Sequence, residues 1–576
     1  MSLPNILQYV FFLLCVALLV KPLGSYMASV FTKERTFLDR ILEPLEAAIH
    51  RVLGVDPRRE MNGKEYATAF VLFSLAGTLL LYGLLRLQRF LPGFDSAHTT
   101  TPMTPDLAFN TAISFSTTTT WQAYGGETTM SYFSQMVGLA AQNFLAGAAG
   151  LAVGVAFIRG LAREKSEGLG NFWTDLVRAT LWILLPISLV GALLLVWQGV
   201  PANFDPYTQV RTLEGPLQVI AQGPVAALEF IKNLGTNGGG FFNVNGAHPF
   251  ESPTPLANFL EMLAITAIPA AFTYTFGRML GRPRQGWVLF GVMAFLFASG
   301  LVLCHFAEQA GNPRVTSAGG VAAFSTADQP GGNMEGKEVR FGIGGSVLAA
   351  ITTSNGATGS TNAMHDSYTP LGGLVPLANM LLGEIVFGGL GTGLYSIVFT
   401  ALIGLFAAGL MVGKTPEYVG KVIGPGELKL IMLYTLAAPA AVLIPTAAAV
   451  LAPAGLAGLT TNSGAHGFSE ILYAFASAFA NNGQNFAGLS TNSPFYNVAT
   501  AAGMMAGRFA LAIPALALAA RFARQGRRPQ TNGTLPTDSF TFAVIVVASA
   551  LVVGGLSYFP ALALGPVVEH LLMAGP

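Results

Sequence analysis

Long apolar segments separated by polar connections dominate the pattern of this chain. Ten of them are long enough to cross roughly 30 Å of hydrocarbon, for which a helix needs about 20 residues. They lie near residues 5–30, 65–88, 131–158, 174–198, 256–281, 284–306, 374–412, 428–451, 497–522 and 540–562. The run 374–412 exceeds one span, so we expect it to be tilted, broken or partly re-entrant. The pattern predicts an all-α polytopic membrane protein with about ten transmembrane helices.

Four short loops rich in Gly, Asn and Thr recur between these segments, at 116–122, 235–240, 352–357 and 480–485. Taking Thr119, Gly238, Gly356 and Gly483 as equivalent points gives intervals of 119, 118 and 127 residues. Self-similarity at a nearly fixed interval is typical of a repeated structural unit. The loops therefore predict a unit that occurs four times.

Each loop follows about ten helix-compatible residues, at 108–117, 225–234, 346–353 and 470–479. These helices are too short to span, and irregular backbone at membrane depth is tolerated only where it is buried in protein or lines a water-filled cavity. We therefore expect four pseudo-fourfold helix–pore loop–helix repeats, with the first and tenth helices outside them. The predicted division is 1–64 for an extra helix and a cytoplasmic loop, 65–158, 174–281, 284–412 and 428–522 for the repeats, and 540–576 for an extra C-terminal helix.

The positions of Lys and Arg predict the orientation in the membrane. Of the 30 basic residues, 21 lie in the connections that follow odd-numbered segments, and the longer opposite connections hold seven. Because short positively charged loops stay cytoplasmic, both termini and all four loops are predicted to be extracytoplasmic. The start of the chain lacks the positive region and cleavage site of a signal peptide, so we interpret its apolar segment as a spanning helix.

Composition supports a membrane protein, because 52% of the 576 residues are hydrophobic and 10% are charged, against about 25% charged in soluble domains. The net charge of +1 argues against nucleic acid as a partner and leaves membrane lipid as the expected surroundings. Cys15 and Cys304 lie in apolar runs, which offers neither a disulfide framework nor a thiolate metal site. The seven histidines show no paired ligand spacing, so an ordinary polar contact is preferred to metal ligation for each.

The loop residues suit a dehydrated monovalent cation. Neutral carbonyl and hydroxyl dipoles can replace the water shell of potassium, and Gly and Asn reach positive φ more readily than most residues. No Asp or Glu lies in the central loop residues, whereas a calcium or magnesium site is built on carboxylates. Ordinary turns are the alternative interpretation of Asn-Gly and Gly-Gly, but four evenly spaced loops favour a potassium-selective pore.

Arg508 lies about midway through the segment 497–522. An intramembrane charge is costly and normally faces a cavity or a partner, so we expect this arginine below the loops, where it tunes ion occupancy or blocks leak. The alternative is a charge-paired residue of helix packing. Glu229 and Glu384 are weaker candidates, for which a structural role is preferred.

Longer strings carry a resemblance to a known family. They are KPLG at 21–24, TNGGGFFN at 236–243, MEGKE at 334–338, MHDS at 364–367, TPEY at 415–418, HGFSE at 466–470, NNG at 481–483, GRF at 507–509 and PALALGP at 560–566. With them the chain resembles the KdpA family, the A chains of bacterial potassium-transporting ATPases, over essentially its whole length.

The resemblance implies a multi-pass protein of the bacterial inner membrane, in the superfamily of potassium transporters with four such repeats. It implies a non-catalytic subunit that binds K⁺ at the outer face and passes it through an intersubunit tunnel to a P-type ATPase. The implied partners are KdpB, which binds ATP and carries the phosphorylated aspartate, KdpC and KdpF. No phosphate-binding GxxxxGK[ST] or phosphorylation motif occurs in this chain, so by itself it is not expected to hydrolyse ATP.

The resemblance also implies which residues form a K⁺ selectivity filter. They are Thr118, Thr119, Thr120 and Gln122 in the first loop, Asn237 and Gly238 in the second, Ser354, Asn355 and Gly356 in the third, and Asn481, Asn482 and Gly483 in the fourth. The family's intramembrane arginine matches Arg508. The first loop departs from the family pattern Thr-Asn-Thr-Asn-Trp-Gln by having Thr at both Asn positions, and the third has Asn355 where Cys or Thr is more familiar.

Two other functions fit parts of the sequence. A stand-alone channel or symporter of the Trk/Ktr/HKT type shares the four repeats and needs no ATPase, but the extra helices and the family-specific strings argue against it. A membrane enzyme acting on lipid would use His365, Asp366 or His466 as acid and base, which requires these side chains to converge in a pocket.

Overall fold

The computed structural model describes residues 2–319, 326, 331–529 and 535–574, and the described part is mostly helical. Its α-helices are α1 Leu3–Thr32, α2 Asp39–Leu53, α3 Gly63–Leu87, α4 Pro105–Ser116, α5 Gly126–Thr129, α6 Ala141–Ala162, α7 Phe172–Arg178, α8 Leu185–Trp197, α9 Val225–Leu234, α10 Pro255–Met279, α11 Pro283–Ala310, α12 Pro313–Ser317, α13 Gly342–Asn355, α14 Pro370–Leu381, α15 Thr392–Met411, α16 Pro425–Leu451, α17 Pro453–Leu456, α18 Gly464–Phe479, α19 Pro494–Arg524, α20 Phe540–Leu562 and α21 Val568–Ala574.

Short elements join these helices. The 3₁₀ turns are Gln88–Phe90 and His365–Ser367, and the π-helical turns are Ser134–Ala140, Ala179–Leu184 and Ala563–Val567. Within the described ranges, six strands form three antiparallel pairs: β1 Met61–Asn62 with β2 Gly168–Gly170, β3 Thr208–Arg211 with β4 Leu217–Ile220, and β5 Glu417–Tyr418 with β6 Lys421–Val422. All three pairs lie in connections, so the fold is helical.

Ten helical segments of the described residues are long and apolar enough to cross a membrane, which confirms the predicted number. We number them spans 1 to 10: Leu3–Thr32, Gly63–Phe90, Ser134–Ala162, Phe172–Trp197, Pro255–Met279, Pro283–Ser317, Thr392–Met411, Pro425–Leu451, Pro494–Arg524 and Phe540–Ala574. The apolar run 374–412 is broken. Helix α14 ends at Leu381 and span 7 begins at Thr392, and the ten residues between them include four glycines.

Spans 3 and 9 pack against each other in the centre of the molecule. The apolar window of span 3 is 89% buried, and its stripe of Gly and Ala allows other backbones to approach closely. Gly160 faces the backbone of Ala519, and Gly150 faces the carbonyl of Leu390 in the broken segment. Small residues drive helix association in lipid because close backbone approach maximises van der Waals contact. The centre therefore tolerates few larger side chains.

Spans 1 and 10 lie at the periphery, where 22% and 17% of their apolar windows are buried. Span 1 packs along span 5, where Gly24 faces the carbonyl of Ala271, and span 10 packs on span 7. Their remaining apolar surface suits lipid or another subunit.

The connection after span 1 holds a helix that the sequence pattern did not predict. Helix α2 carries exposed Ile41, Leu45 and Val52, and its buried Glu46 accepts hydrogen bonds from Arg178 at 2.9 Å. A short amphipathic helix of this kind is typical of a membrane surface.

Candidate functional site

Four short helices each precede a loop in the interior of the molecule, and we call them the pore helices: α4, α9, α13 and α18. Three begin earlier than predicted, and α9 has the predicted bounds Val225–Leu234. Loop 1 comprises residues 117–122, loop 2 residues 235–240, loop 3 residues 356–361 and loop 4 residues 480–485. The order of a span, a pore helix, a loop and a span occurs four times.

All four pore helices end in the same way, which fixes the equivalence of the loops. The first residue after each helix cap has a left-handed backbone: Thr118 with φ 64°, Thr236 with φ 50°, Ala357 with φ 49° and Asn481 with φ 48°. The next N–H then donates to the carbonyl five residues back, from Thr119 to Ser114, Asn237 to Lys232, Thr358 to Thr353 and Asn482 to Ser477, at 2.8–3.2 Å. This is the Schellman ending of a helix, in which Gly usually takes the left-handed position. None of the four residues is Gly, so each costs about 1–2 kcal/mol of backbone strain.

This equivalence corrects the position of the third loop. Ser354 and Asn355 lie in the last turn of α13, and Gly356 is its C-terminal cap. The prediction of a loop over 352–357 is therefore wrong for most of its length, because helical hydrogen bonds continue through an Asn-Gly pair that resembles a turn. The loop residues are Ala357, Thr358 and Gly359, and Gly359 is the counterpart of Gly238.

The corrected equivalent points are Thr120, Gly238, Gly359 and Gly483, at intervals of 118, 121 and 124 residues. All four have positive φ, at 51°, 78°, 85° and 91° in that order. The intervals are more nearly constant than those taken from the sequence. A comparison of Thr-Gly at 358–359 with Asn-Gly at 237–238 and 482–483 was the signal available in the sequence.

The four loops close into a ring. A side-chain carbon on Gly238 would collide with the carbonyl of Thr358, one on Gly359 with the carbonyl of Asn482, and one on Gly483 with the carbonyl of Thr119. One on Gly239 would approach the carbonyl of Thr120 at 3.0 Å, which joins loop 2 to loop 1. Each loop thus touches the next in chain order. Glycine is required at these points because a left-handed backbone and a neighbouring carbonyl leave no room for a Cβ.

Side chains of the predicted residues strengthen the ring. Asn481 Nδ2 donates to Thr119 Oγ1 at 2.9 Å, and Asn482 Nδ2 donates to the carbonyl of Thr353 at 2.8 Å. Gln122 Oε1 accepts from the N–H of Gly240 at 2.7 Å, and its Nε2 donates to the carbonyl of the same residue at 3.1 Å. These bonds connect loop 4 to loop 1, loop 4 to the third pore helix, and loop 1 to loop 2.

One face of the ring opens into a cavity of about 590 Å³, which we call the vestibule. Residues at the end of each of the four loops, or shortly after it, line the vestibule, among them Gln122, Asn245, Asn362 and Asn485. All four loops therefore open towards one face. Among the described residues no Asp or Glu belongs to the ring, whose polar groups are carbonyls, hydroxyls and amides.

Arg508 lies at the opposite end of the ring. Its Nη1 donates to Thr118 Oγ1 at 3.2 Å, and its Nη2 donates to the carbonyl of Ala146 at 2.9 Å. The guanidinium also lies over the ring of Phe70, and the side chain is buried. No carboxylate of the described residues forms an ion pair with it, so the alternative of a charge-paired packing residue has no support in the geometry. The broken segment lies at the same end, where the N–H of Leu390 donates to Thr236 Oγ1 at 3.1 Å.

Lys232 is an important residue of this region that the sequence did not single out. Its Nζ donates to the carbonyl of Gly239 at 2.7 Å and pairs with Glu229 Oε2 at 2.9 Å, and both side chains are fully buried. Glu251 accepts from the backbone N–H groups of Phe241 and Phe242. Lys232, Glu229 and Glu251 thus form a charged network that holds the backbone of loop 2 and of the two residues after it. A lysine three residues after a glutamate on a short buried helix was the signal in the sequence.

The side chains of the lipid-enzyme alternative converge only in part. His466 Nε2 lies 2.8 Å from Asp366 Oδ1, but His365 points to Tyr473 OH at 3.1 Å. Burial, and then the charge of Lys337, lower the pKa of His365 to about 3. This histidine therefore stays neutral and uses its Nδ1 for Tyr473 OH, so the three side chains do not form one acid–base site.

Comparisons with known proteins agree with this architecture. The family model for the potassium-transporting ATPase A subunit matches residues 10–571. A relative in Methylorubrum extorquens is 53% identical over 99% of this chain and 98% of its own length, and one in Rhodospirillum centenum is 50% identical over 100% and 99%. Both are named the potassium-binding subunit of the potassium-transporting ATPase.

A solved structure shares the fold at low sequence identity. The potassium transporter TrkH from Vibrio parahaemolyticus matches with a TM-score of 0.50 and 13% identity, over 88% of this chain and 97% of its own. At that identity the likeness shows the fold of repeated helices and pore loops and nothing about the reaction. The match of the family model over almost the whole chain carries the assignment: this chain belongs to the KdpA family of potassium-transporting ATPase A subunits.

Proposed function

We propose that this chain is the potassium-binding and ion-translocating subunit of an ATP-driven potassium uptake complex. The observation that carries the proposal is the closed ring of four loops at the end of a wide vestibule. Its neutral oxygens suit a dehydrated monovalent cation, because they replace the water shell without the trapping charge of a carboxylate. The two relatives described above, at 53% and 50% identity, carry the name of a potassium-binding subunit.

Potassium enters from the vestibule and binds among the backbone carbonyls of the ring. The binding residues are Thr118, Thr119, Thr120 and Gln122 in loop 1, Asn237 and Gly238 in loop 2, Ala357, Thr358 and Gly359 in loop 3, and Asn481, Asn482 and Gly483 in loop 4. Thr120 takes the place of the glycine in the other loops, and its buried Oγ1, which has no hydrogen-bond partner among the described residues, supplies an additional oxygen there. The ring is thus fourfold in backbone and asymmetric in side chains.

Arg508 closes the far end of the ring to straight passage. A fixed positive charge next to Thr118 repels a cation that leaves the ring in that direction. The ion therefore turns aside along the broken segment 382–391, towards the subunit that hydrolyses ATP. This role rests on the position of the guanidinium and on the lack of an ion-pair partner among the described residues.

The complex has the composition that the family implies. KdpB binds ATP and carries the phosphorylated aspartate, KdpC and KdpF complete the assembly, and this chain contributes no ATPase site. The protein lies in the bacterial inner membrane with both termini and the vestibule on the extracytoplasmic side, because the basic connections lie on the other side. The four repeats follow the division 65–158, 174–281, 284–412 and 428–522, with extra helices in 1–64 and 540–576.

Gly238→Asp tests the proposal through the potassium dependence of ATPase activity in the co-purified complex. The variant places a carboxylate and a Cβ against the carbonyl of Thr358, so we expect potassium dependence to be lost or the apparent affinity to fall strongly. Gly215→Asp is the matched control, because Gly215 also has positive φ, at 96°, and lies in open space in the β3–β4 turn. Asn355→Ala should keep the wild-type affinity, because its Nδ2 donates to Ile351 within the helix.

An unaltered potassium response in Gly238→Asp would reject the ring as the binding site. A fall in potassium affinity in Asn355→Ala would instead favour the binding residues predicted from the sequence for the third loop, which are Ser354, Asn355 and Gly356. Potassium uptake by the purified chain with no co-purifying ATPase would favour the stand-alone transporter instead.

A further inference from the structure

A second cluster of polar side chains lies beside the vestibule and outside the ring. Asp366 comes from the 3₁₀ turn after loop 3, and His466 and Glu470 come from the first two turns of the fourth pore helix. His466 Nε2 lies 2.8 Å from Asp366 Oδ1 and 3.8 Å from Glu470 Oε1. The three side chains each offer one ligand atom, and these atoms all lie within 4.8 Å of one another.

The spacing suits a divalent transition-metal ion. Zinc binds imidazole nitrogen and carboxylate oxygen at about 2.0–2.2 Å, which puts the ligand atoms of a tetrahedral site roughly 3.3–3.6 Å apart. The 3.8 Å from His466 Nε2 to Glu470 Oε1 is close to that separation, and the 2.8 Å contact with Asp366 Oδ1 is a hydrogen bond that a bound ion would replace at a wider spacing. Residues i and i+4 lie on one face of a helix, so His466 and Glu470 can hold one ion from the same side.

Glu470 provides an independent sign that a ligand belongs here. Its side chain is fully buried, and its Oε2 has no hydrogen-bond partner among the residues that the structure describes. Oxygens also converge beside Gly488, where a side-chain carbon would lie within 2.8 Å of Glu470 Oε1, Thr461 Oγ1 and Asp366 Oδ2. A buried carboxylate oxygen without a partner is costly, and a bound cation would remove that cost.

The charge of the cluster points the same way. Glu569 of α21 approaches His466 Nδ1 at 2.7 Å, so three carboxylates surround one imidazole. In the described part of the chain no lysine or arginine forms an ion pair with any of the three. An adjacent cavity of about 420 Å³, lined by Asp366, His466 and Glu569, gives an ion a route of entry.

The other ring nitrogen of His466 also has a carboxylate partner. A metal-bound histidine almost always donates its other ring N–H to a carboxylate or carbonyl, which fixes the tautomer and the ring orientation. Glu569 Oε1 is placed to accept that hydrogen bond from Nδ1, which leaves Nε2 to face Asp366 and Glu470. Asn462 Nδ2 donates a hydrogen bond to Glu470 Oε1 at 2.9 Å.

We propose that Asp366, His466 and Glu470 bind one divalent transition-metal ion of the zinc class, with Glu569 as the carboxylate that orients the histidine. The ion links the turn after loop 3, the fourth pore helix and the C-terminal helix α21. It therefore braces the wall of the vestibule and is not part of the path for potassium. The proposal does not depend on the transport function, because its test measures metal binding and thermal stability.

The test uses the purified complex, stripped of metal with a chelator and titrated with zinc by calorimetry. We expect one site per chain and a rise of several degrees in the melting temperature of this subunit. Asp366→Asn with Glu470→Gln should abolish both effects. Glu569→Gln should weaken zinc binding by about 10- to 100-fold, which is the range for loss of a carboxylate that orients a metal-bound histidine.

His98→Ala is the matched control, because His98 also pairs with an aspartate, Asp95, at 3.1 Å, and no second carboxylate in the described part of the chain forms an ion pair with it. It should leave zinc binding unchanged. Equal binding of magnesium or calcium would overturn the nitrogen-ligated site, and zinc binding that survives the double variant would overturn the assignment of ligands. If the double variant fails to assemble, two other measurements test the site: zinc binding by Glu470→Gln alone, and the visible spectrum of cobalt bound to the wild-type complex. A complex without a cobalt band of tetrahedral type refutes the site.

Discussion

Replacement of Lys232 by methionine tests how the protein holds loop 2 in place. The ammonium is fully buried between Glu229, at 2.9 Å, and the carbonyl of Gly239, at 2.7 Å. Gly239 in turn abuts Thr120 of loop 1. The substitution removes a charge-assisted hydrogen bond from the ring and also leaves a buried carboxylate without its partner.

The two effects have different magnitudes and different assays. Removal of one partner of a buried ion pair costs about 3–5 kcal/mol of stability. A hydrogen bond to a charged group contributes about 1.5–3 kcal/mol, and each 1.4 kcal/mol corresponds to tenfold in affinity. If the anchoring bond acts fully on ion binding, the apparent potassium affinity falls by about 10- to 150-fold.

A double variant separates the two effects. Lys232→Met with Glu229→Gln removes both charges, so it should recover most of the thermal stability and none of the potassium affinity. The affinity is measured as potassium-dependent ATPase activity of the purified complex. Wild-type affinity in an assembled double variant would refute the anchoring role of Lys232.

Lys337 provides the matched control. It forms an equally buried ion pair with Glu308, at 2.6 Å, but its other hydrogen bond goes to the carbonyl of Glu335, outside the ring. Lys337→Met should therefore lose stability to a similar extent and keep the wild-type potassium affinity in the complexes that assemble. An equal loss of affinity in both variants would mean that the assay reports folding alone.

Two further substitutions test the ends of the ring. Gln122→Arg breaks the paired bonds to Gly240 and puts a cation at the vestibule end, so potassium uptake should weaken strongly while the complex still assembles; unchanged uptake affinity would contradict that position. Arg508→Gln removes the charge below Thr118, so passive potassium flux through reconstituted complexes without ATP should rise. Arg521→Gln, near the end of the same span, should leave that flux at the wild-type level. Wild-type passive flux in the Arg508→Gln complex would exclude a role of Arg508 in blocking leak.

Local features of the sequence were enough to predict the spans. A helix that crosses hydrocarbon must satisfy its own backbone hydrogen bonds and present apolar side chains, so length and hydropathy identify it without knowledge of its neighbours. The ten spans are predicted on this basis, and the four pore helices from the short helix-compatible segments that precede the repeated loops. The boundaries differ more, and the start of α13 at Gly342 lies four residues before the predicted one.

The sequence offers a local signal for loop 3 and another for Lys232, but each competes with a local pattern that points elsewhere. Asn355-Gly356 has the composition of a turn, but α13 continues through Asn355 because hydrogen bonds and burial on all sides stabilise one more helical turn. Lys232 belongs by composition with the exposed basic residues of the connections, and its partner Gly239 lies in the adjacent loop. Such contacts depend on how a short helix is oriented inside the fold.

The sequence by itself determined the class of the protein, the number of spans, the repeat and the neutral chemistry of the loops, because each depends on composition and periodicity over short stretches. Only the tertiary structure decided which residues are equivalent, since the carbonyls of Thr119, Thr358 and Asn482 meet glycines more than 100 residues away in the chain. The same holds for Asp366 and His466, which approach within 2.8 Å across 100 residues. Contacts of this kind arise from packing of the repeats around one axis, and a linear pattern does not record them.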